Sequence, residues 1–104
     1  MQFENVTASA AGNVYFDGKV VSHAIVMPDG EKKTLGVIMP GAYHFDTGAA
    51  EVMEMVQGAC TYILDGSEEA IAVPKGSWFE IPANSGFTIT VDDVPCHYVC
   101  SFIL

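Results

Sequence analysis

From Asn13 onward the chain alternates between short apolar runs and turn residues. The turns fall at Asp17-Gly18, Pro28-Asp29-Gly30, Pro40-Gly41, Thr47-Gly48, Gly58, Asp65-Gly66, Pro74-Lys75-Gly76, Asn84-Ser85-Gly86 and Asp92-Asp93, about every ten positions. Between them lie segments rich in Val, Ile, Phe, Tyr and Thr at 19–27, 34–39, 60–64, 78–82, 87–91 and 97–104. Such residues suit a pleated, half-buried surface, so the spacing predicts strands. The last segment alternates cleanly, with Tyr98, Cys100 and Phe102 on one face and Val99, Ser101 and Ile103 on the other. Segment 49–56 is the one rival helix, because Ala, Glu and Met have good helix propensity. A helix there would run about two turns before Gly58, too short to be stable alone; as a strand it places Glu51, Met53 and Met55 on one face. Many short strands without an amphipathic helix predict an antiparallel sandwich or barrel. No repeat or linker divides the chain, so one domain is expected over 13–104, preceded at 1–12 by a swapped edge strand or a loose arm.

Composition narrows the partners. Half of the 104 residues are hydrophobic, yet no apolar run reaches the roughly 18 residues of a membrane-spanning helix. A chain this short has a single core, and its apolar excess predicts a surface covered by a second copy, hence a homodimer or larger assembly. Thirteen acidic residues, four lysines and no arginine give a net charge of -9. That charge repels phosphate backbones and anionic lipid, so neither nucleic acid nor a membrane is an expected partner. Cys60, Cys96 and Cys100 form no CxxC pair. An odd count without a secretory signal pattern predicts reduced, buried thiols and a cytoplasmic location.

The chemistry concentrates in GAYHFDTGAAEVMEMVQG at 41–58. His44 and Asp46 share one face of an extended strand, and Glu51 enters from the next strand beyond the Thr47-Gly48 turn. A hairpin would bring the three together, to bind a metal, a sugar or a proton in transit, or as an ordinary polar rim. The spacing His-x-Asp-x4-Glu-x6-Gly is similar to the first cupin motif with its second His replaced by Asp. The second motif follows in outline as Gly66 and then Pro74-Lys75-Gly76-Ser77-Trp78-Phe79, with Phe79 where a metal-binding cupin places its remaining His. The resemblance implies an all-β, single-domain cupin-type jelly-roll barrel lacking the fourth metal ligand.

From Tyr15 to the C-terminus the chain resembles the small cupin family of pyrimidine/purine nucleoside phosphorylases. The matching pieces are YFDGKV at 15–20, KTLGVIMPGAYHF at 33–45, EVMEMVQGA at 51–59, KGSWFEIPANSGF at 75–87 and YVCSFIL at 98–104. Each alone is weak; five in order within 104 residues are specific. The resemblance implies cleavage of diverse purine and pyrimidine nucleosides by phosphate, giving free base and ribose 1-phosphate, with phosphate as co-substrate and no cofactor or metal. His44 and Asp46 are a local variation on the family's pattern, and MQFENVTASAA has no clear counterpart in it.

Phosphorolysis needs a ribose held by its hydroxyls, a phosphate held at the anomeric carbon and a stabilised oxocarbenium-like transition state. Glu51 suits the ribose 2′- and 3′-hydroxyls, because a carboxylate accepts two hydrogen bonds and favours a developing cation. His44 suits a general acid on the leaving base, oriented by Asp46. Lys33 and Lys19, inside matching pieces, are the candidates for phosphate, with Lys33 preferred if its strand face turns inward; Lys32 and Lys75 read as solvated turn lysines, and backbone N–H groups of Gly41 or 84–86 could share the anion. Tyr43, Phe45, Phe79 and Tyr98 could wall a base site with few directional bonds, and Glu80 and Asn84 bind substrate on family position alone. Two other readings remain: a metal-dependent cupin dioxygenase or isomerase using His44, Asp46 and Glu51 as a facial triad, and a non-catalytic cupin that binds a small metabolite.

Overall fold

The computed structural model describes residues 1–104. The turn punctuation yields eleven strands: β1 (Thr7–Ala8), β2 (Asn13–Tyr15), β3 (Val20–Val26), β4 (Lys32–Ile38), β5 (Gly41–Asp46), β6 (Ala50–Gln57), β7 (Cys60–Leu64), β8 (Ile71–Val73), β9 (Trp78–Ile81), β10 (Gly86–Val91) and β11 (Cys96–Ile103). The rival helix at 49–56 is the strand β6. One 3-10 turn, Phe16–Gly18, is the sole helical element, and no helix is long and apolar enough to cross a membrane.

Two antiparallel sheets face each other as a cupin-like jelly roll. The larger has the order β1-β3-β4-β11-β6-β9 with β2 also beside β3, and the smaller β5-β10-β7-β8. Consecutive strands β5 and β6 lie in different sheets, so the Thr47-Gly48 turn is a crossing from one wall to the other and not the hairpin expected from sequence. Thr47 pins that crossing: its hydroxyl donates to the Pro82 carbonyl at 2.7 Å and accepts from the Ser85 N–H at 2.9 Å. The amino-terminal arm is an edge strand on its own chain, with Thr7 opposite Val26 and Ala8 opposite Ile25.

Alternation decides what fills the space between the sheets. Met53 and Met55 on β6, Phe79 and Ile81 on β9, and Tyr98 and Cys100 on β11 point inward from the larger sheet to meet Tyr62, Phe87 and Ile89 of the smaller. Val20, Ile38, Met55, Ile89, Val91 and Cys96 are all at most 2% exposed and close one end of the barrel. The other end, where β5 ends and β6 begins, stays open.

Candidate functional site

The open end holds a cavity of about 600 Å³. Its two walls differ in character because they come from different sheets. From the larger sheet come Ser22 of β3, Thr34 of β4, Glu51 and Met53 of β6, and Tyr98 and Cys100 of β11; Phe45 and Phe87 come from the smaller, and Tyr15 and Phe16 stand at the mouth. One side is thus hydroxyl, carboxyl and thiol, the other aromatic.

Glu51 occupies the polar wall. It is first among the inward residues of β6, paired in register with Phe102 on one side and Ile81 on the other. Burial raises its carboxyl above the ordinary value, opposed by the Cys100 thiol, which donates to Oε1 at 3.3 Å. The thiol in turn is raised by burial and by the Glu51 charge, with the Thr34 hydroxyl beside it acting the other way. Tyr98 is 8% exposed and its phenol is likewise raised, chiefly by burial. The Cys100 thiol and the Tyr98 phenol stay protonated near neutrality, so the wall presents neutral donors around the desolvated Glu51 carboxyl. All three cysteines are buried free thiols, Cys60 pushed by burial to about 12 and Cys96 to about 11. Cys100 differs from the other two in lining the cavity.

His44 alternates with the inward Tyr43 and Phe45 and is exposed at the rim. Both Asp65 carboxylate oxygens lie 3.0 Å from its Nε2, whereas Asp46 lies 3.9 Å from Nδ1. Hydrogen bonding to Asp65 raises the imidazole pKa above its ordinary value. Gly86 permits the contact: a Cβ there would overlap the Asp65 carboxylate where it reaches across β10. The carboxylate that joins His44 and Asp46 within 4.8 Å is therefore Asp65 and not Glu51, because the chain changes sheets between them. The facial triad expected for the metal-dependent reading is not assembled. Phe79, at the position of a cupin histidine, is 4% exposed and stacked on Tyr62 at 4.0 Å. The donors of that triad do not converge inside the cavity, and the exposed His44–Asp46–Asp65 group lies at its rim.

The other expected site residues divide by strand face. Tyr98 lines the cavity. Tyr43 is core, its hydroxyl donating to the carbonyls of Met39 at 2.9 Å and Pro40 at 3.0 Å, and Phe79 lies behind Phe87. Lys33 faces away from the cavity, since Thr34 and Ile38 are the inward residues of β4. Its Nζ donates to Ser101 at 2.6 Å and lies 3.3 Å from a Glu31 carboxylate oxygen. Lys19, Glu80 and Asn84 are exposed and outside the cavity lining, so the structure brings Glu51, His44, Asp46, Phe45 and Tyr98 of the expected set to it. At 84–86, the Asn84 N–H bonds the Gly48 carbonyl and the Ser85 N–H bonds Thr47, leaving neither for an anion. Sequence reasoning missed Tyr15, Phe16, Ser22, Thr34, Phe87 and Cys100 as lining residues; the inward face of β11, legible as Tyr98-x-Cys100-x-Phe102, was the available signal.

The chain is similar to known proteins over almost its whole length. It is 52% identical over 101 residues to a pyrimidine/purine nucleoside phosphorylase of Methylococcus capsulatus, covering 97% of each chain, and 46% identical over 102 residues to one of Geobacter sp. strain M21, covering 98% of each. Most of residues 1–11 are thus matched in these relatives, although sequence reading found no counterpart for them. A crystal structure of a protein of unknown function from Acinetobacter sp. ADP1 superposes with a TM-score of 0.94 at 39% identity, covering 98% of both chains. The model of the pyrimidine/purine nucleoside phosphorylase family matches residues 10–102, and the chain belongs to that enzyme family.

Proposed function

We propose that this protein cleaves both purine and pyrimidine nucleosides with phosphate, releasing free base and α-D-ribose 1-phosphate, in the cavity between its sheets. The two-sided cavity carries this reading: a hydroxylated ligand with a flat apolar part is matched by a polar wall facing an aromatic one, in a volume within the usual range of small-ligand sites. Ribose lies against Glu51, whose carboxylate accepts from the 2′- and 3′-hydroxyls. As the C1′–N bond breaks, the same desolvated charge faces the oxocarbenium-like sugar, where a low dielectric makes the attraction strong. A phosphate oxygen forms the new bond to C1′, and the leaving base takes up a proton. His44, whose imidazole pKa is raised by its hydrogen bond to Asp65, is the proposed acid at the rim. No lysine lines the cavity, so the hydroxyls of Ser22, Thr34 and Tyr98 are the proposed phosphate donors in place of Lys33 or Lys19.

Incubation of the purified protein with inosine and uridine tests this reading. Free base and ribose 1-phosphate are expected only when phosphate is present, with the rate unchanged after exhaustive chelation. Release that needs no phosphate, or activity abolished by chelator and restored by one metal, overturns it. We also propose a cytoplasmic location, with which three buried free thiols accord.

The protein is further proposed to be a homodimer. The outer face of the larger sheet carries half-buried Val21, Leu35 and Val37 together with Trp78 at 62% and Ile103 at 53% exposure, an apolar surface that a second copy would cover. Light scattering at micromolar concentration is expected to give the mass of two chains, and Trp78→Lys to shift it toward one. A single-chain mass for the wild type would contradict this assembly.

A further inference from the structure

We propose that Tyr15 and Phe16 form the nucleobase wall of the cavity, gripping a base by its face. This rests on the nucleoside reading above and assigns the part of the site that decides base tolerance. Three observations converge on the pair. The first is exposure: Tyr15 is 44% and Phe16 45% exposed, although both are aromatic and both line the cavity mouth.

The second is backbone conformation. Phe16, Asp17 and Gly18 have φ of 52°, 57° and 89° in succession. Positive φ is ordinary for glycine but unfavourable for a bulky aromatic, whose Cβ crowds the backbone. A chain that could place glycine at 16 instead places phenylalanine there, half in water. Conformational cost of this kind collects where a side chain must be presented in one direction.

The third is support. An aromatic series runs from the core to the mouth: Tyr62 on Phe79, Phe79 on Phe87 at 5.8 Å, Phe87 on Phe45 at 5.7 Å, and Phe45 on Phe16 at 5.5 Å and Tyr15 at 5.9 Å. Phe16 also contacts Tyr43 at 5.0 Å. Tyr43, Tyr62, Phe79 and Phe87 are buried and Phe45 is half-buried, so the outer two are held from behind with their remaining surface free. A wall of rings offers any base a π-face partner and gives its hydrogen-bonding edge few fixed partners, so it tolerates purines and pyrimidines alike.

Steady-state kinetics with inosine, uridine and phosphate, and calorimetric titration with adenine and ribose 1-phosphate, separate the possibilities for wild type, Tyr15→Leu, Phe16→Leu and Phe16→Gly. The Phe16 variants are expected to raise the nucleoside KM and the adenine Kd about tenfold, inosine more than uridine, while the phosphate KM and ribose 1-phosphate Kd stay within about twofold. Phe16→Gly accepts the positive φ without crowding and keeps the fold, so its loss of base affinity should come with little change in Tm. A ring that served packing alone would give the reverse, a lower Tm with unchanged KM, and would overturn the proposal. Wild-type phosphorolysis with unaltered nucleoside KM in all three variants overturns the wall and leaves the phosphorylase reading standing. If the wild type splits no nucleoside, adenine binding that Phe16→Leu weakens still supports the wall; equal binding, or none in the wild type, overturns it.

Discussion

Glu51→Gln is expected to lower kcat/KM for nucleosides by about a hundredfold to a thousandfold, as for loss of a preorganised charge at a transition state, while raising Tm at neutral pH. The amide keeps the shape of the side chain and an acceptor for the Cys100 thiol at 3.3 Å, so the substitution removes mainly charge. The charge acts on the sugar when C1′ becomes cationic and less in the ground state, which places the loss in kcat more than in KM. The stability effect has the opposite sign. Burial raises the Glu51 carboxyl in the folded protein, so the folded state binds the proton more tightly than the unfolded chain does. The stabilisation from the protonated form is fully present below the unfolded carboxylate pKa and is lost as pH rises through the folded pKa. At neutral pH the folded protein therefore carries a desolvated charge that glutamine lacks. Glu51 is only half buried, and with solvent screening the relief is well under 1 kcal/mol, a Tm gain of about 2–4 °C for a domain this size. The gain should vanish below about pH 4, where wild-type Glu51 is itself protonated. Thermal melts from pH 4 to pH 8 alongside kinetics check both halves. Glu51→Gln with wild-type kcat/KM would remove Glu51 from the chemistry, and a Tm gain that persists at low pH would remove charge as its cause.

The strands were legible in the sequence because period-two alternation and turn chemistry are local. Segment 60–64 coincides with β7, and the inward set Glu51, Met53 and Met55 follows from strand alternation alone. The crossing between sheets was not local. Thr47-Gly48 looks like a hairpin turn, and nothing within 41–58 reveals that β5 pairs with β10 and β6 with β11 and β9. That one topological fact moves His44 and Asp46 to a rim with Asp65 while Glu51 turns inward. Lys33 illustrates the same limit: its alternation with Leu35 and Val37 was readable, but which face looked inward depended on Thr34 and Ile38 meeting a sheet made largely of later residues. Tyr15 and Phe16 lay in a quoted family piece yet carried no periodic signal, because Tyr15 ends a three-residue edge strand and Phe16 opens a turn of positive φ.

Gly36→Ala is expected to destabilise the protein by about 1–3 kcal/mol through overpacking, a Tm loss of about 5–20 °C at this chain length, and to reduce activity although residue 36 touches no substrate. Gly36 and Tyr98 are register partners on β4 and β11, and the tyrosine ring lies across the space a side chain would fill. A Cβ at 36 would sit 2.5 Å from Cε1 and Cζ of Tyr98 and 2.6 Å from its hydroxyl, well inside carbon–carbon contact distance. Strand β4 is held on both sides by β3 and β11, so the ring must move and not the backbone. The open direction is the cavity, where the displaced ring would take space and draw its hydroxyl from the vicinity of Ser22. The variant should consequently lose nucleoside affinity beyond what its lower stability explains at temperatures where it remains folded. Tyr98→Leu shortens the obstructing group, so the double variant Gly36→Ala/Tyr98→Leu should be more stable than the sum of the two single effects, a coupling expected for residues in direct contact. Additive Tm losses in that cycle, or a Gly36→Ala protein with wild-type Tm and nucleoside KM, would show that the ring does not occupy the place over Gly36 that shapes the cavity floor.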